Sequence, residues 1–216
     1  MKADTEGWDG TIRRHLSRSA EIKQLTADAC AVDIAAAALL LADCLRDGGK
    51  ILLCGNGGSA ADCQHLATEF VSCLTQDYRR PGLPVLALTT DTSMLTAFAN
   101  DFGFDGVFAR QVQALGKPGD MLIGISTSGG SRNVVAAAAT ARRAGMRFVA
   151  LTGARGPLVG LADIAIRVPS DETQHIQEAH LVIEHILCHL VERYLYGEDS
   201  TEAGRAGRVR EETGAV

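Results

Sequence analysis

A chain of 216 residues, 46% hydrophobic and 22% charged, has the length and balance of one α/β domain with an ordinary buried core. Its formal net charge of −5 argues against nucleic acid or an anionic membrane as its main partner. No charged stretch followed by an apolar run opens the chain, so no secretory signal is expected. The six cysteines show no C-x-x-C pair or zinc-ribbon spacing and read as reduced thiols of a cytoplasmic protein.

The segment from Asp9 to Arg46 is rich in Ala and Leu and predicts helix, in one or two pieces, ended by Asp47-Gly48-Gly49. Within it, Ala29 to Ala42 is apolar around the whole circumference except at Asp33. That run is shorter than the roughly 20 residues of a membrane span. A helix apolar on every side is expected to be buried on every side, most simply between subunits.

A regular alternation follows. Lys50–Cys54, Pro84–Leu88, Asp120–Ile125, Arg147–Leu151 and Asp163–Val168 are short apolar runs that predict strands. Helices are expected at Ser59–Leu74, Phe104–Leu115, Ser131–Ala144 and, briefly, Leu158–Leu161. The strands are apolar on both faces, which predicts an α/β fold with a five-stranded parallel sheet flanked by helices, flavodoxin-like. A last helix from Glu172 to Leu195 should bury Ile176, Ala179, Ile183, Leu187, Leu190 and Tyr194. After Tyr196 the apolar period stops. The expected organisation is a helical segment at 1–49, the α/β domain at 50–196 and a disordered tail at 197–216.

Two loops suit a phosphorylated ligand. Cys54-Gly55-Asn56-Gly57-Gly58-Ser59 leaves the first strand and opens a helix, so its glycines permit close approach and the helix start offers N–H groups. It is neither a Walker A sequence nor a G-x-G-x-x-G fingerprint. The bland alternative is a tight turn with Ser59 as N-cap. Ser126-Thr127-Ser128-Gly129-Gly130-Ser131 leaves the third strand with four hydroxyls and two glycines, a set that can hold a phosphate monoester without lysine. Here the alternative is a solvated turn. Two such loops at the carboxyl ends of parallel strands point to a single crevice.

With their surroundings, these loops resemble the sugar isomerase (SIS) domain family, most closely its phosphoheptose isomerase branch. The resemblance runs from about Leu52 to Glu192. It is carried by Cys54-Gly-Asn-Gly-Gly-Ser-Ala-Ala-Asp-Cys-Gln-His65, Glu69, Asp91-Thr-Ser, Ala99-Asn-Asp101, Gly124-Ile-Ser-Thr-Ser-Gly-Gly-Ser131 and Ile176-Gln-Glu-Ala-His180 with His185. It implies a single SIS domain and a homotetramer with active sites where subunits meet. It further implies conversion of D-sedoheptulose 7-phosphate to D-glycero-D-manno-heptose 7-phosphate, and one zinc ion per site. By position, the metal ligands fall on His65, Glu69, Gln177 and His185. The substrate contacts fall on Asn56, Gly57, Gly58, Asn100, Asp101, Ser126, Thr127, Ser128 and Ser131, with Ser59, Glu69 and Gln177 counted beside them.

The residues themselves carry part of this. His65 and Glu69 stand four apart on a predicted helix and so face the same way, as two metal ligands or a base with its partner would; a surface His–Glu pair is the alternative. His185 shares an off-core stripe with Gln177, Leu181 and His189. Gln177 and His185 are about 12 Å apart along a helix, so one metal needs converging side chains or a frayed helix start at Gln177. Aldose–ketose isomerisation needs one group to carry a proton between C1 and C2 and another to handle the enediol oxygens. Glu69 is assigned the first role and His185 the second. His180 is expected to pack with a hydrogen bond, Cys54 and Cys63 to fill space, and His15 and His175 carry no signal. Asn100 and Asp101 suit sugar hydroxyls and ordinary loops equally.

Three other readings compete. A non-catalytic SIS protein that binds the replication initiator would share the glycine loop but lack the acid–base pair, which Glu69 and His185 supply here. A sugar-phosphate-sensing module would need a DNA-binding segment, and none is visible. An isomerase for amino-sugar or pentose phosphates fits the later motifs less well.

Overall fold

A computed structural model describes residues 7–197. The tail expected at 197–216 therefore lies outside the described residues apart from Gly197. The elements in chain order are α1 (Trp8–Arg46), β1 (Ile51–Gly55), α2 (Gly58–Val71), β2 (Val85–Ala87), α3 (Thr92–Phe102), α4 (Val107–Leu115), β3 (Met121–Ser126), α5 (Arg132–Arg143), β4 (Arg147–Thr152), α6 (Leu158–Leu161), β5 (Ile164–Arg167) and α7 (Thr173–Tyr196).

All five strands pair in parallel, in the order β2-β1-β3-β4-β5. Successive residues of a strand point to opposite faces, and both faces are dry. Ile51, Leu53, Ile123 and Ile125 enter one core with α1, α2 and α7 residues such as Leu41, Phe70 and Ile183. Leu52, Cys54, Leu122 and Phe148 enter a second core with Phe108, Val112, Val134 and Ala138. This is why the strands read as unbroken apolar runs. The chain order reverses at β1, which lies between β2 and β3, so the ligand crevice of such a sheet opens at the carboxyl ends of β1 and β3.

The N-terminal segment is one unbroken helix of 39 residues. It buries a single stripe, including Ile22, Cys30, Ile34, Ala37, Leu41 and Leu45, against α7 and β5. Its other side stays exposed, with Leu16 at 64% and Val32 at 82%. Burial on every side is therefore not achieved within one chain, because the domain's other elements reach α1 from one side only. An 18-residue window of α1 has a mean hydropathy of 1.8, enough by length and composition to cross a membrane.

Helix α7 buries Ile176, Ala179, Ile183 and Leu187 as expected, but Leu190 and Tyr194 are exposed. The stripe runs out of partner there. α1 ends at Arg46, whose guanidinium meets the Tyr194 hydroxyl at 3.1 Å, and packing passes to Val191 and Glu192. Helix α3 was not expected over its full length. It buries none of its residues and is started by Asp91, whose carboxylate accepts the Met94 N–H at 2.9 Å. The helix expected from Phe104 begins as a 3-10 turn, Phe104–Gly106, before α4.

Candidate active site

The two ligand loops leave the neighbouring strands at the reversal point, with Gly55 of β1 in register with Ile125 of β3. They are tied together by a reciprocal amide pair. Asn56 Nδ2 donates to Asn133 Oδ1 and Asn133 Nδ2 donates to Asn56 Oδ1, both at 2.8 Å. Asn133, buried in the first turn of α5, was not singled out by sequence reasoning; its only signal is its place just after the serine loop. In that loop Ser126 Oγ lies 2.9 Å from Ser131 Oγ and 3.4 Å from Ser128 Oγ. Gly129 has φ +63°, and a Cβ there would strike the Arg155 carbonyl at 2.3 Å.

Neither helix that follows a loop is capped by a side chain. α2 starts at Gly58 with Gly57 in the cap position, so Ser59 is not the N-cap, and α5 starts after Ser131. In α5 the Val134 N–H is taken by Asn133 Oδ1 at 2.9 Å, and first-turn N–H groups without such a partner suit an anion.

Helices α2 and α7 run side by side in the same direction. Gln177 Nε2 donates to Asp62 at 3.1 Å, His65 Nε2 lies 2.8 Å from His185 Nε2, and Arg80, just beyond α2, grips Glu192. This alignment sets His65 against His185 of α7 and beside Glu69 of its own helix. His65 Nε2 is 3.7 Å from Glu69 Oε1, and Glu69 Oε2 is buried with no hydrogen-bond partner. Gln177 is the fifth residue of a regular helix, so it does not sit at a frayed start. Its amide lies against Gly58, where an added Cβ would fall 2.2 Å from Nε2. That close approach is what Gly58 permits. Gln177 thus joins the glycine loop to α7, while His185 meets His65 further along.

Behind the seam the polar groups are dry. His180 is fully buried, with Nε2 at 3.2 Å from the Thr152 carbonyl and Nδ1 unpartnered, a packing role as expected. Burial pushes its imidazole down to about 4, against the opposing pull of that hydrogen bond. Glu184 is also fully buried, and neither carboxyl oxygen has a partner. Burial first, then the nearby Asp62 carboxylate, pushes it up to about 9. Cys54 and Cys63 are fully buried, and burial pushes the Cys54 thiol up to about 12, which suits space-filling. All six cysteines are free thiols.

Arg80 is the largest positioning feature that sequence reasoning missed. Its side chain is buried against Glu192 at 2.8 Å, and it donates to the carbonyls of Glu69, Phe70 and Ser72 at the end of α2. Isolated in a loop before Pro81, it gave no periodic signal. Asn100 and Asp101 form the last turn of α3. They are exposed, with Asn100 Nδ2 bonded to Asp101 Oδ1 at 2.8 Å.

The SIS domain family matches residues 15–153. A phosphoheptose isomerase of Roseiflexus sp. is 49% identical over 199 residues, covering 92% of this chain and all of that protein. One from Solidesulfovibrio magneticus is 59% identical over 161 residues, 74% of this chain and 78% of the relative. Among solved structures, the phosphoheptose isomerase of Neisseria gonorrhoeae superposes with a TM-score of 0.80 at 42% identity, covering 85% of this chain and 98% of that one. The Francisella tularensis phosphoheptose isomerase gives 0.82 at 40% identity, covering 85% and 97%. The chain belongs to the phosphoheptose isomerase family.

In this family member α7 carries a second histidine group on another side. His15 of α1, His175 and Glu178 have donor atoms all within 4.8 Å of one another, an arrangement able to chelate a metal ion. Burial works against the Glu178 charge, but hydrogen bonds from Ser19, His175 and His15 outweigh it and hold the carboxyl down at about 2. Sequence reasoning gave His15 and His175 no role, because 160 residues separate them in the chain and only the docking of α1 on α7 brings them together.

Proposed function

We infer that this protein is an aldose–ketose isomerase that converts D-sedoheptulose 7-phosphate to D-glycero-D-manno-heptose 7-phosphate through an enediol. One observation carries the reading beyond family membership. Glu69 and His185 both flank His65 at the seam between α2 and α7, with Glu69 Oε1 at 3.7 Å and His185 Nε2 at 2.8 Å from His65 Nε2, and α2 is the helix opened by the glycine loop. Their presence together speaks against the initiator-binding alternative, which needs neither.

In this reading Ser126, Thr127, Ser128 and Ser131 hold the phosphate with the first-turn N–H groups of α5, and Asn56, Gly57, Gly58 and Ser59 line the opposite side. The open-chain sugar extends toward α7, with Gln177, Asn100 and Asp101 taking hydroxyls. Glu69 removes the proton from one of the two carbons and returns it to the other. His185 gives and takes protons at the two oxygens, so the negative charge of the enediol never stands unprotonated.

Three of the same residues offer donors that zinc takes: a buried, unpartnered Glu69 oxygen and the facing Nε2 atoms of His65 and His185. The Gln177 amide rests against Gly58 and Asp62, so its Oε1 completes the set only when the side chain swings toward His65. We assign His65, Glu69, Gln177 and His185 to hold it. A bound zinc ion would polarise the sugar oxygens and order the site. We also take residues 50–196 as the catalytic domain and 1–49 as an appended helical segment. The exposed apolar residues of α1, with Leu181, Val182 and Ile186 of α7, support burial of this face against other copies of the chain, and we take the assembly as a homotetramer with sites at subunit contacts. We further take it to act on a phosphorylated seven-carbon sugar in the cytoplasm, its net charge of −5 speaking against nucleic acid and an anionic membrane.

The test is incubation with sedoheptulose 7-phosphate in deuterated water, followed by NMR beside Glu69→Gln. Heptose 7-phosphate bearing deuterium at C2 or C1, formed by wild type and lost in the variant, is the expected result. No turnover by zinc-supplied wild type would sink the enzyme reading. Turnover surviving in Glu69→Gln would move the base elsewhere.

A further inference from the structure

The seam between α1 and α7 holds a histidine–carboxylate group that the isomerisation does not use. His15 lies near the start of α1, and His175 and Glu178 in the first two turns of α7. His15 Nε2 is 3.0 Å from Glu178 Oε1, and His175 Nδ1 is 3.0 Å from Glu178 Oε2. We propose that His15, His175 and Glu178 form a second divalent-metal site, suited to a first-row transition ion of the zinc type, that clips the N-terminal helix to the last helix.

The donor set argues for that class of ion. Two imidazole nitrogens and a carboxylate oxygen suit zinc, cobalt or nickel, whereas magnesium and calcium take oxygen ligands. Zinc bonds of about 2.0–2.2 Å in tetrahedral array put neighbouring donors roughly 3.3–3.5 Å apart. The donors already stand 3.0 Å apart in two pairs, so small side-chain rotations admit an ion.

The surroundings fix the ligand atoms. His175 Nε2 lies 3.6 Å from Glu172 Oε2, so a proton on Nε2 faces a carboxylate and the Nδ1 lone pair is left for the ion. The Ser19 hydroxyl donates to Glu178 and sets its orientation. His175 is 3% exposed while His15 is open to solvent, giving the site a dry wall and a mouth wide enough for a water as fourth ligand. Without an ion the trio is held by shared protons; an entering ion replaces them and releases protons. The clip would join residues 163 apart in sequence, so it acts on the packing of α1 and not on the chemistry at Glu69.

The experiment uses the full chain stripped of metal. In the double variant His65→Ala/His185→Ala, which removes the histidines proposed for the catalytic ion, cobalt(II) is titrated and its visible ligand-field bands recorded. Bound zinc is counted, and melting is followed with and without zinc. The double variant should retain a bound ion and the bands, and zinc at about a hundredfold excess over its Kd should raise Tm by roughly 5–10 °C. Adding His15→Ala should abolish all three signals. In otherwise wild-type protein His15→Ala should lose an equivalent of zinc and keep turnover within about twofold. Equal ion counts and equal zinc-induced shifts with and without His15 would overturn the site. The readout is ion binding, so a failure of the isomerase reading would leave it intact, and the reverse.

Discussion

Helix α7 meets α2 on one side and α1 on another, and it carries histidines toward both. On the α1 side the polar atoms are paired: both Glu178 oxygens accept from imidazoles, and His175 has a carboxylate at each nitrogen. On the α2 side and just behind it, Glu69 Oε2, His180 Nδ1 and both Glu184 oxygens are buried without partners. Each such atom costs about 1–3 kcal/mol of desolvation. The two seams therefore differ in how their polar atoms are satisfied: the α1 seam pairs its donors through shared protons that an entering ion would displace, whereas the α2 seam leaves buried atoms with no proton-sharing partner.

The largest expected effect falls on the α2 seam. Glu69→Gln keeps the size and shape of the side chain but removes the carboxylate proposed as the base. Isomerase turnover should fall by about 10²–10⁴-fold, with stability held within about 1 kcal/mol because the amide keeps the size and shape of the carboxyl. A progress-curve assay beside urea unfolding checks both. Parallel loss of activity and stability would mean that Glu69 is structural and would break the contrast between the seams.

Next comes Arg80, which closes the lower end of the α2 seam. Its buried pair with Glu192, and its bonds to the last carbonyls of α2, mean that Arg80→Met leaves a charge and several carbonyls unpaired in the interior. The expected loss is about 3–5 kcal/mol of unfolding free energy in urea. A loss under about 1 kcal/mol would show that the end of α2 finds other partners.

His180 tests the dry layer behind the site by pH. Its folded value near 4 lies below the ordinary 6.5, so between those values the unfolded chain binds more protons than the folded one. Stability from His180 is therefore full above about pH 6.5 and is lost as pH falls toward 4, by about 3 kcal/mol in all. Glu184, held up at about 9, has the opposite slope, because the unfolded chain releases that proton first as pH rises. The two largely cancel in wild type between pH 5 and 6.5. His180→Gln removes one of them, so its stability relative to wild type should improve steadily as pH falls through this window. A pH-independent difference would show that the imidazole titrates normally in the fold.

How far the sequence reaches follows the same division. The sheet, its five strands and the placing of the glycine and serine loops at neighbouring strand ends were legible because burial on both faces leaves unbroken apolar runs and each run ends in a glycine- or hydroxyl-rich turn. His65 with Glu69 was legible because both sit on one helix at a four-residue step. What escaped depends on how elements dock. Asn133 matters because α5 lies beside the glycine loop, Arg80 because α2 ends beside Glu192, and His15 because a 39-residue helix crosses back over α7. The exposed end of the α7 stripe escaped for the same reason, since periodicity reports a face and not whether a partner covers it.

Gly58 gives the smallest effect and the sharpest separation of geometry from chemistry. A Cβ at that position would lie 2.2 Å from the Gln177 amide, whose side chain is flexible and can swing away. Gly58 begins α2, where alanine suits a helix better than glycine. Gly58→Ala should therefore leave stability within about 1 kcal/mol of wild type. The displaced amide loses its bonds to Asp62, and with them the link between the glycine loop and α7. Turnover should fall by roughly tenfold, since small misplacements of a positioning group are felt strongly in rate. Zinc content measured on the same sample divides the cause: reduced zinc with reduced turnover assigns Gln177 to the metal, while full zinc with reduced turnover assigns it to the sugar. Unchanged turnover would mean that the α2–α7 seam tolerates a looser fit than its close contacts suggest.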